Sequence, residues 1–228
     1  MQYSIVNVSE VMGHKDKRID SEHYHPYHLN NLEKFKMKSK CLGDYVLHMS
    51  GGATPLGAIY PESGIPFLRV ENVMQNYISE SNMVYITDEQ HAAIARSELK
   101  KNDVLLTITG AFGKSAVVTA QFEGSNINQH SVKMTVAGIS PHFLAAFLNC
   151  KYGYSQSTRH VVGITRPALD YSAVKSFYIP DLSDAFQNVV EYVCLQAETA
   201  REDRFFIYHQ AQSILLSELG LTNWRPNH

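Results

Sequence analysis

The chain has 228 residues, 44% of them apolar and 18% charged, with 20 basic against 22 acidic side chains and a net charge of −2. That composition belongs to a globular chain and excludes a disordered one, and runs as short as Ala92–Ala95 and Ala116–Val118 exclude a membrane span. Cys41, Cys150 and Cys194 form no CxxC pair and leave one thiol over in any disulfide scheme, which excludes a disulfide scaffold or Cys-rich zinc site and suits a reducing cytoplasm.

The polar stretch Met1–Asp20 lacks the apolar core of a secretory signal, so a cytoplasmic location is expected. Leu29–Phe35 reads as a helix, followed by alternating Lys34, Lys36, Lys38 and Lys40. Segments rich in Val, Ile, Thr and aromatic residues then recur between Gly, Pro and Asn. These are Asp44–Met49, Phe67–Val73, Met83–Ile86, Val104–Thr109, Ser115–Ala120 and Ser131–Val136, and all read as strands. Asp88–Arg96 reads as a helix capped by Thr87, and Pro141–Cys150 as one opened by Ser140 with proline in the first turn. Lys175–Ile179, closed by Pro180, makes a last strand, so the middle of the chain is α+β.

Ser183 to Leu219 contains no Gly or Pro. Apolar residues recur there in alternating four- and three-residue steps, at Phe186, Val190, Val193, Ala197, Ala200, Ile207, Ala211 and Ile214, with Arg204 in the sixth of the nine places of the series. This is the 3.5-residue repeat of a coiled coil. Such a rod is roughly 55 Å long, whereas a domain of about 140 residues has a radius of gyration near 14 Å. The rod therefore calls for a second helix, most simply from another copy. A helix broken into two halves that fold back on the domain is the alternative.

Charge is unevenly placed: residues 181–228 hold 3 basic and 7 acidic side chains, leaving 17 and 15 for residues 1–180. The C-terminal segment is thus unsuited to a phosphate backbone, and any DNA contact falls to the first 180 residues.

Gly110-Ala-Phe-Gly113-Lys114-Ser115 resembles a phosphate loop but has Ile108 where the first glycine is needed. It reads instead as a tight hairpin presenting Lys114 at its tip. His23, His25 and His28 lack acidic or Cys partners at zinc spacing, and Pro26 interrupts a helical face, so they read as surface histidines. No Gly-x-Ser-x-Gly, His-Glu-x-x-His, Rossmann or Asn-Pro-Pro-Tyr pattern occurs, and no catalytic constellation is found. What remains is a set of polar loop groups suited to base edges or phosphates: Arg69 and Asn72; Thr107 and Thr109; Lys114; Asn128, Gln129 and His130; Gln156, Thr158, Arg159 and His160; Thr165 and Arg166. Arg pairs with guanine and Asn or Gln with adenine in the major groove. The candidate DNA-binding set is Arg69, Asn72, Thr109, Lys114, Gln129, His130, Arg159, Thr165 and Arg166.

The order of several segments carries a resemblance. They are Ser50-Gly-Gly-Ala-Thr-Pro55, Ile65-Pro-Phe-Leu-Arg-Val-Glu-Asn-Val73, Asp103-Val-Leu-Leu-Thr-Ile-Thr-Gly-Ala-Phe-Gly-Lys114, Asn128-Gln-His-Ser-Val132, Phe143-Leu-Ala-Ala-Phe-Leu-Asn149 and Gly163-Ile-Thr-Arg-Pro-Ala-Leu169. Together, over about residues 15–228, they resemble a target recognition domain of the specificity subunit of type I restriction–modification enzymes. Arg18-Ile-Asp-Ser-Glu-His-Tyr24 resembles the start of such a domain, and Leu219-Gly-Leu-Thr-Asn-Trp-Arg-Pro226 the segment leading into a second half.

The resemblance implies a β-rich reading domain followed by a long coiled-coil-type helix. Its expected parts are a lead-in with a short helix (1–38), the reading domain (39–180), the helix (181–219) and a tail or linker (220–228). It implies a non-catalytic chain that reads half of a bipartite target in double-stranded DNA. Its partners would be modification subunits, which hold S-adenosylmethionine and methylate adenine, and a restriction subunit; no cofactor is expected in this chain. Family members typically carry two such domains and two helices, so this is one repeat unit, either a half-subunit that forms a homodimer or the N-terminal half of a longer chain. A recognition domain of a fused methyltransferase–nuclease, a coiled-coil module that binds only protein, and a small-molecule enzyme are the alternatives, the last disfavoured by the missing constellation.

Overall fold

The computed structural model describes residues 3–13, 17–57, 60–163 and 165–221. Residues 222–228 of the expected tail, and Ile164 of the 163–169 motif, lie outside them.

In chain order the elements are α1 (Val8–Gly13), α2 (Pro26–Glu33), β1 (Ser39–Cys41), β2 (Val46–Gly51), β3 (Ile65–Leu68), β4 (Val73–Met74), β5 (Tyr77–Ile78), β6 (Val84–Ile86) and α3 (Asp88–Ala93). There follow β7 (Val104–Thr107), β8 (Ser115–Val117), β9 (Asn126–Ile127), β10 (Ser131–Val136), α4 (Pro141–Asn149), α5 (Lys151–His160), α6 (Tyr171–Lys175), β11 (Tyr178–Pro180) and α7 (Asp184–Glu218). The fold is α+β with a long terminal helix.

Alternation along β7 explains the layering. Val104 and Leu106 point into one core with Val117, Val132, Met134, Phe143, Leu144, Leu148 and Phe177, while Leu105 points into a second with Leu68, Val73, Leu99, Ala116, Val118, Phe122 and Ile127. A strand buried on both faces lacks the polar alternation of a solvated strand. The antiparallel sheet β2-β10-β7-β8 is thus covered by α4 on one side. On the other lies the smaller sheet β6-β3-β9, in which β3 and β9 run parallel, with the β4–β5 hairpin beside it. β1 pairs with β11, setting Ser39 opposite Pro180.

Caps define the helices. Thr87 and Gln90 form a reciprocal capping box on α3, Ser140 caps α4 ahead of Pro141, and Ser183 caps α7. α7 runs unbroken for 35 residues, about 52 Å, which excludes the folded-back alternative.

Several expectations change. Proline 26 does not interrupt a helix but opens α2 at its first position, with His25 as the cap through its ring nitrogen. The strand expected over Phe67–Val73 breaks after Leu68, because Asn72 folds the chain: its side chain accepts from Arg69 N and donates to the carbonyls of Ser79 and Ser81. Asp88–Arg96 stops at Ala93 and continues as a 3-10 turn, and Lys175 ends α6 instead of opening a strand. Gln156, Thr158, Arg159 and His160, read as loop groups, belong to α5. Gly153 lets this helix follow α4 closely, since a Cβ there would lie 2.2 Å from the Phe147 carbonyl oxygen.

Candidate nucleic-acid interface

Register places one end of the four-stranded sheet at Gly51, Ser131, Thr107 and Ser115, which are the paired ends of β2, β10, β7 and β8. Three loops therefore leave from the same edge: the one after Gly51, the one before Ser131 and the β7–β8 hairpin. A fourth is pinned onto them, because Thr109 bridges Ala168, Gly110 N donates to Pro167 O (3.2 Å) and Leu169 N to Ile108 O (2.9 Å). The 163–168 loop, far away in sequence, joins the cluster by backbone bonds.

Thr109, Gln129, His130, Thr165 and Arg166 are brought together here. Gln129, Thr165 and Arg166 are exposed, and Thr109 and His130 are half-buried. The carbonyl of His130 accepts from Ile108 N and Thr109 N, while its own N donates to Asn128 Oδ1. Partial burial, then the Arg166 charge, lowers the His130 pKa. The shift favours the neutral ring, which offers one donor and one acceptor.

Glycine geometry holds the loops in contact. A Cβ on Gly52 would lie 2.1 Å from the Asn128 carbonyl oxygen, and one on Gly51 1.8 Å from the Tyr171 hydroxyl. Thr54 donates to Gln129 Oε1, leaving that side chain's NH2 for an outside acceptor. Thr54 and Tyr171 were not in the sequence-derived set. The Gly51-Gly52 pair was the signal for this close approach, but nothing local pointed to its partners.

The remaining candidates part company with the cluster. Arg159 is 3% exposed, on α5 and not a loop; its Nε donates to His23 O (3.0 Å), so it cannot lie on a DNA-reading surface in this conformation. Asn72 is fully buried in its turn. Gln156 brackets the Tyr178 backbone through both amide atoms, and the Thr107 hydroxyl bonds Ala111 O, so these too hold structure. Lys114 is not at the hairpin tip: its backbone pairs with Thr107, and its Nζ lies 3.6 Å from Met74 Sδ. The hairpin itself is as expected, with Gly110 and Gly113 at positive φ. Arg69 follows β3 but is half-buried, ion-paired to Glu71 and bonded to Asn82 O.

The histidine group also resolves as structure. His23 is fully buried against Arg159 O, and His28 Nδ1 lies 2.8 Å from Ser155 Oγ, so neither is a surface histidine. Arg18 holds Asp20 in a two-pronged pair and aims its Nη1 at the carbonyls of Arg159, His160 and Val161, the C-terminal end of α5. Among the described residues no group of three or more His, Cys, Asp or Glu could hold a metal ion, and no helix is long and apolar enough to cross a membrane.

Helix α7 meets the globular part along Gln187, Val190, Glu191, Glu198 and Arg201. The coiled-coil series lies beside that stripe and is largely bare: Val193, Ile207 and Ile214 are 59%, 62% and 64% exposed. Val190, and Phe186 with its ring edge-on to Phe143 of α4, serve both.

Comparison with known proteins meets this geometry. A structure of the type I restriction–modification system matches 88% of this chain and 51% of its own, at 15% identity and a TM-score of 0.53. The S subunit (HsdS) of Thermoanaerobacter tengcongensis matches 79% of this chain and 44% of its own, at 13% identity and a TM-score of 0.52. The fold is that of a type I specificity subunit. In sequence, the specificity subunit of the type I restriction enzyme EcoBI of Escherichia coli is 26% identical over 126 residues, which span 52% of this chain and 25% of that protein. The type IIG restriction endonuclease BpuSI has the same fold over 77% of this chain and 28% of its own, at 8% identity and a TM-score of 0.56. This chain therefore spans about half or less of the length of each of these relatives. No family model matches it.

Proposed function

We propose that this chain is a DNA-recognition unit of a type I restriction–modification system, with no chemistry of its own. The observation that carries the reading is the convergence of Thr109, Gln129, His130, Thr165 and Arg166 on one sheet end of a fold shared with specificity subunits. The four-loop edge reads one half of a bipartite duplex target through its amides, hydroxyls and Arg166. Its few free cations supply little phosphate attraction, so modification subunits contribute the non-specific affinity as well as S-adenosylmethionine and adenine methylation. A restriction subunit completes the complex. Sequence similarity to a specificity subunit favours this reading over a part of a type IIG endonuclease, which shares only the fold.

In this reading residues 39–180 are the reading domain, to which lead-in residues 18–33 are fastened through Arg18, His23 and His28. The helix of 181–219 pairs antiparallel with a second long helix, here another copy. Two-fold pairing about Ala200 sets Phe186 against Ile214, Val190 against Ala211, Val193 against Ile207, and Arg204 against the small Ala197, which leaves its stem a way to the rim.

Selection from a random-sequence duplex library, with the chain alone and with modification subunits, tests the function. Enrichment of a split motif is expected; no enrichment in either arm overturns the reading.

A further inference from the structure

α7 is fastened to the globular part at two places that belong to different layers. The first is α4 and its cap: Ser140 N donates to Gln187 Oε1 (2.9 Å), Ser140 Oγ to Glu191 Oε2 (2.6 Å), Val190 packs into the helix-side core, and His142 Nε2 lies 3.7 Å from Glu198 Oε1. The second is the β4–β5 hairpin, which packs with the opposite core. There the Arg201 guanidinium lies over the Tyr77 ring, 3.5 Å from its centroid. The α4 contacts run from Gln187 to Glu198, about 16 Å along the helix, and Arg201 stands one turn further on. Beside it a cleft of about 860 Å³, lined by Thr119, Gln121, Glu202 and others, separates helix from hairpin. The Tyr77–Arg201 stack therefore comes one turn after the last α4 contact and carries the attachment onto the other layer, beside this cleft.

A rod held only along α4, on one layer of the globular part, can still tilt about that line of contacts. In the antiparallel pair, Val190 and its counterpart opposite Ala211 are about 30 Å apart along the rods. A swing of about 6° about one fastening moves the other end by about 3 Å, close to one base-pair step of roughly 3.4 Å. A second, off-axis contact removes that freedom.

We infer that the Tyr77–Arg201 stack is the positioning contact that fixes the angle between reading domain and rod, and thereby the spacing accepted between two half-sites. The inference rests on the DNA-reading function proposed above. Neither residue is among those that converge at the sheet end, so spacing and half-site sequence are set by separate groups.

The test repeats the random-duplex selection with wild type, Tyr77→Ala, Arg201→Ala and Tyr77→Phe. The two alanine variants are expected to select the same half-site with a broader spacing distribution. The preference for the best spacing over its neighbours should fall by a factor within about 2 to 30, the worth of a cation–π contact. Tyr77→Phe keeps the ring face and should retain wild-type spacing. Unchanged spacing in both alanine variants overturns the inference, and so does a changed half-site sequence.

A DNA-free measurement separates this from failure of DNA reading itself. Spin labels carried by unnatural amino acids at 100 and 212, both exposed positions, should give a narrow distance distribution in wild type and a wider one in Tyr77→Ala. Equal widths overturn the clamp whatever the DNA result. A wild type that selects no duplex, with the widths still different, leaves the clamp standing and overturns its role in spacing.

Discussion

Replacing Arg159 with alanine separates a structural arginine from a DNA-reading one. Its side chain is almost completely buried between the lead-in and α5, donates from Nε to His23 O, and lies 5.9 Å from the Tyr24 ring centroid. Its backbone carbonyl also receives His23 Nδ1 and Arg18 Nη1. The deletion removes a charge-assisted hydrogen bond, worth about 1.5–3 kcal/mol, and strands a buried carbonyl. It also removes the packing of the aliphatic stem, about 1 kcal/mol. The expected loss is about 3 kcal/mol, or a fall in Tm of about 6–12 °C for a chain of this size. Calorimetry and urea titration of Arg159→Ala beside Arg166→Ala provide the assay. Arg166 is exposed at the loop edge, so its removal should leave Tm within about 1 °C and weaken selected-duplex binding by about 1–3 kcal/mol. An Arg159→Ala protein with wild-type stability and lost DNA selection would refute the reasoning.

Four further outcomes are expected. Arg18 holds the Asp20 pKa down to about 2, first through its hydrogen bond. This stabilises the fold fully above the ordinary value near 4 and is lost as pH falls through about 2; Asp20→Asn should flatten the acid limb of the stability curve in that window. His130 should titrate below 6.5 by NMR, and Arg166→Ala should move it back upward; no movement would show that Arg166 does not act on the ring. Because the folded state disfavours the imidazolium, charging His130 should cost stability as pH falls below its unfolded value. Gly52→Ala, which forces Cβ onto two carbonyl oxygens, should cost about 2–4 kcal/mol in urea unfolding, and a near-neutral result would contradict the close loop approach. Sedimentation should find a dimer at micromolar concentration that Ala197→Glu plus Ile207→Glu converts to monomer with helicity retained; a monomeric wild type rejects the homodimer.

How much was legible follows from the range of the forces involved. Local signals served well: Thr87 and Ser140 cap the helices they were expected to cap, and β10 runs over Ser131–Val136 as read. A cap satisfies backbone N–H groups within the next turn, so a short window of sequence contains it. Arg159, Asn72 and Gln156 were misread because their residue types favour exposure, whereas their partners lie at His23, at Ser79 and Ser81, and at Tyr178. α5 was missed for the same reason. Its polar side chains are spent on segments 20 to 140 residues away, which leaves no apolar period to detect. The site was half-legible: residue types pointed to Gln129, His130, Thr165 and Arg166, but only the Thr109–Ala168 bridge and the Gly52 approach put them on one edge.

The long helix shows how one sequence can carry two instructions a fraction of a turn apart. The apolar series from Phe186 to Ile214 is visible because it is apolar. Apart from the shared Phe186 and Val190, the stripe that binds the globular part, Gln187, Glu191, Glu198 and Arg201, is polar and looks like an ordinary solvated face. Physical chemistry makes the two complementary. An apolar seam gains free energy from any apolar partner and so gives association with little orientational memory. The polar stripe gains only when each group meets its own partner at hydrogen-bonding or stacking geometry, which fixes phase and angle. A reader of two half-sites, as proposed for this chain, needs both properties, a strong joint between rods and an exact joint between rod and reader. Reversing the chemistry would fail at each surface. A polar seam between rods would lose the area term that drives pairing, and an apolar stripe under the domain would let it settle at several rotations of similar energy. In the proposed function, mainly apolar contacts for pairing and mainly polar contacts for positioning are therefore what a spacing ruler requires.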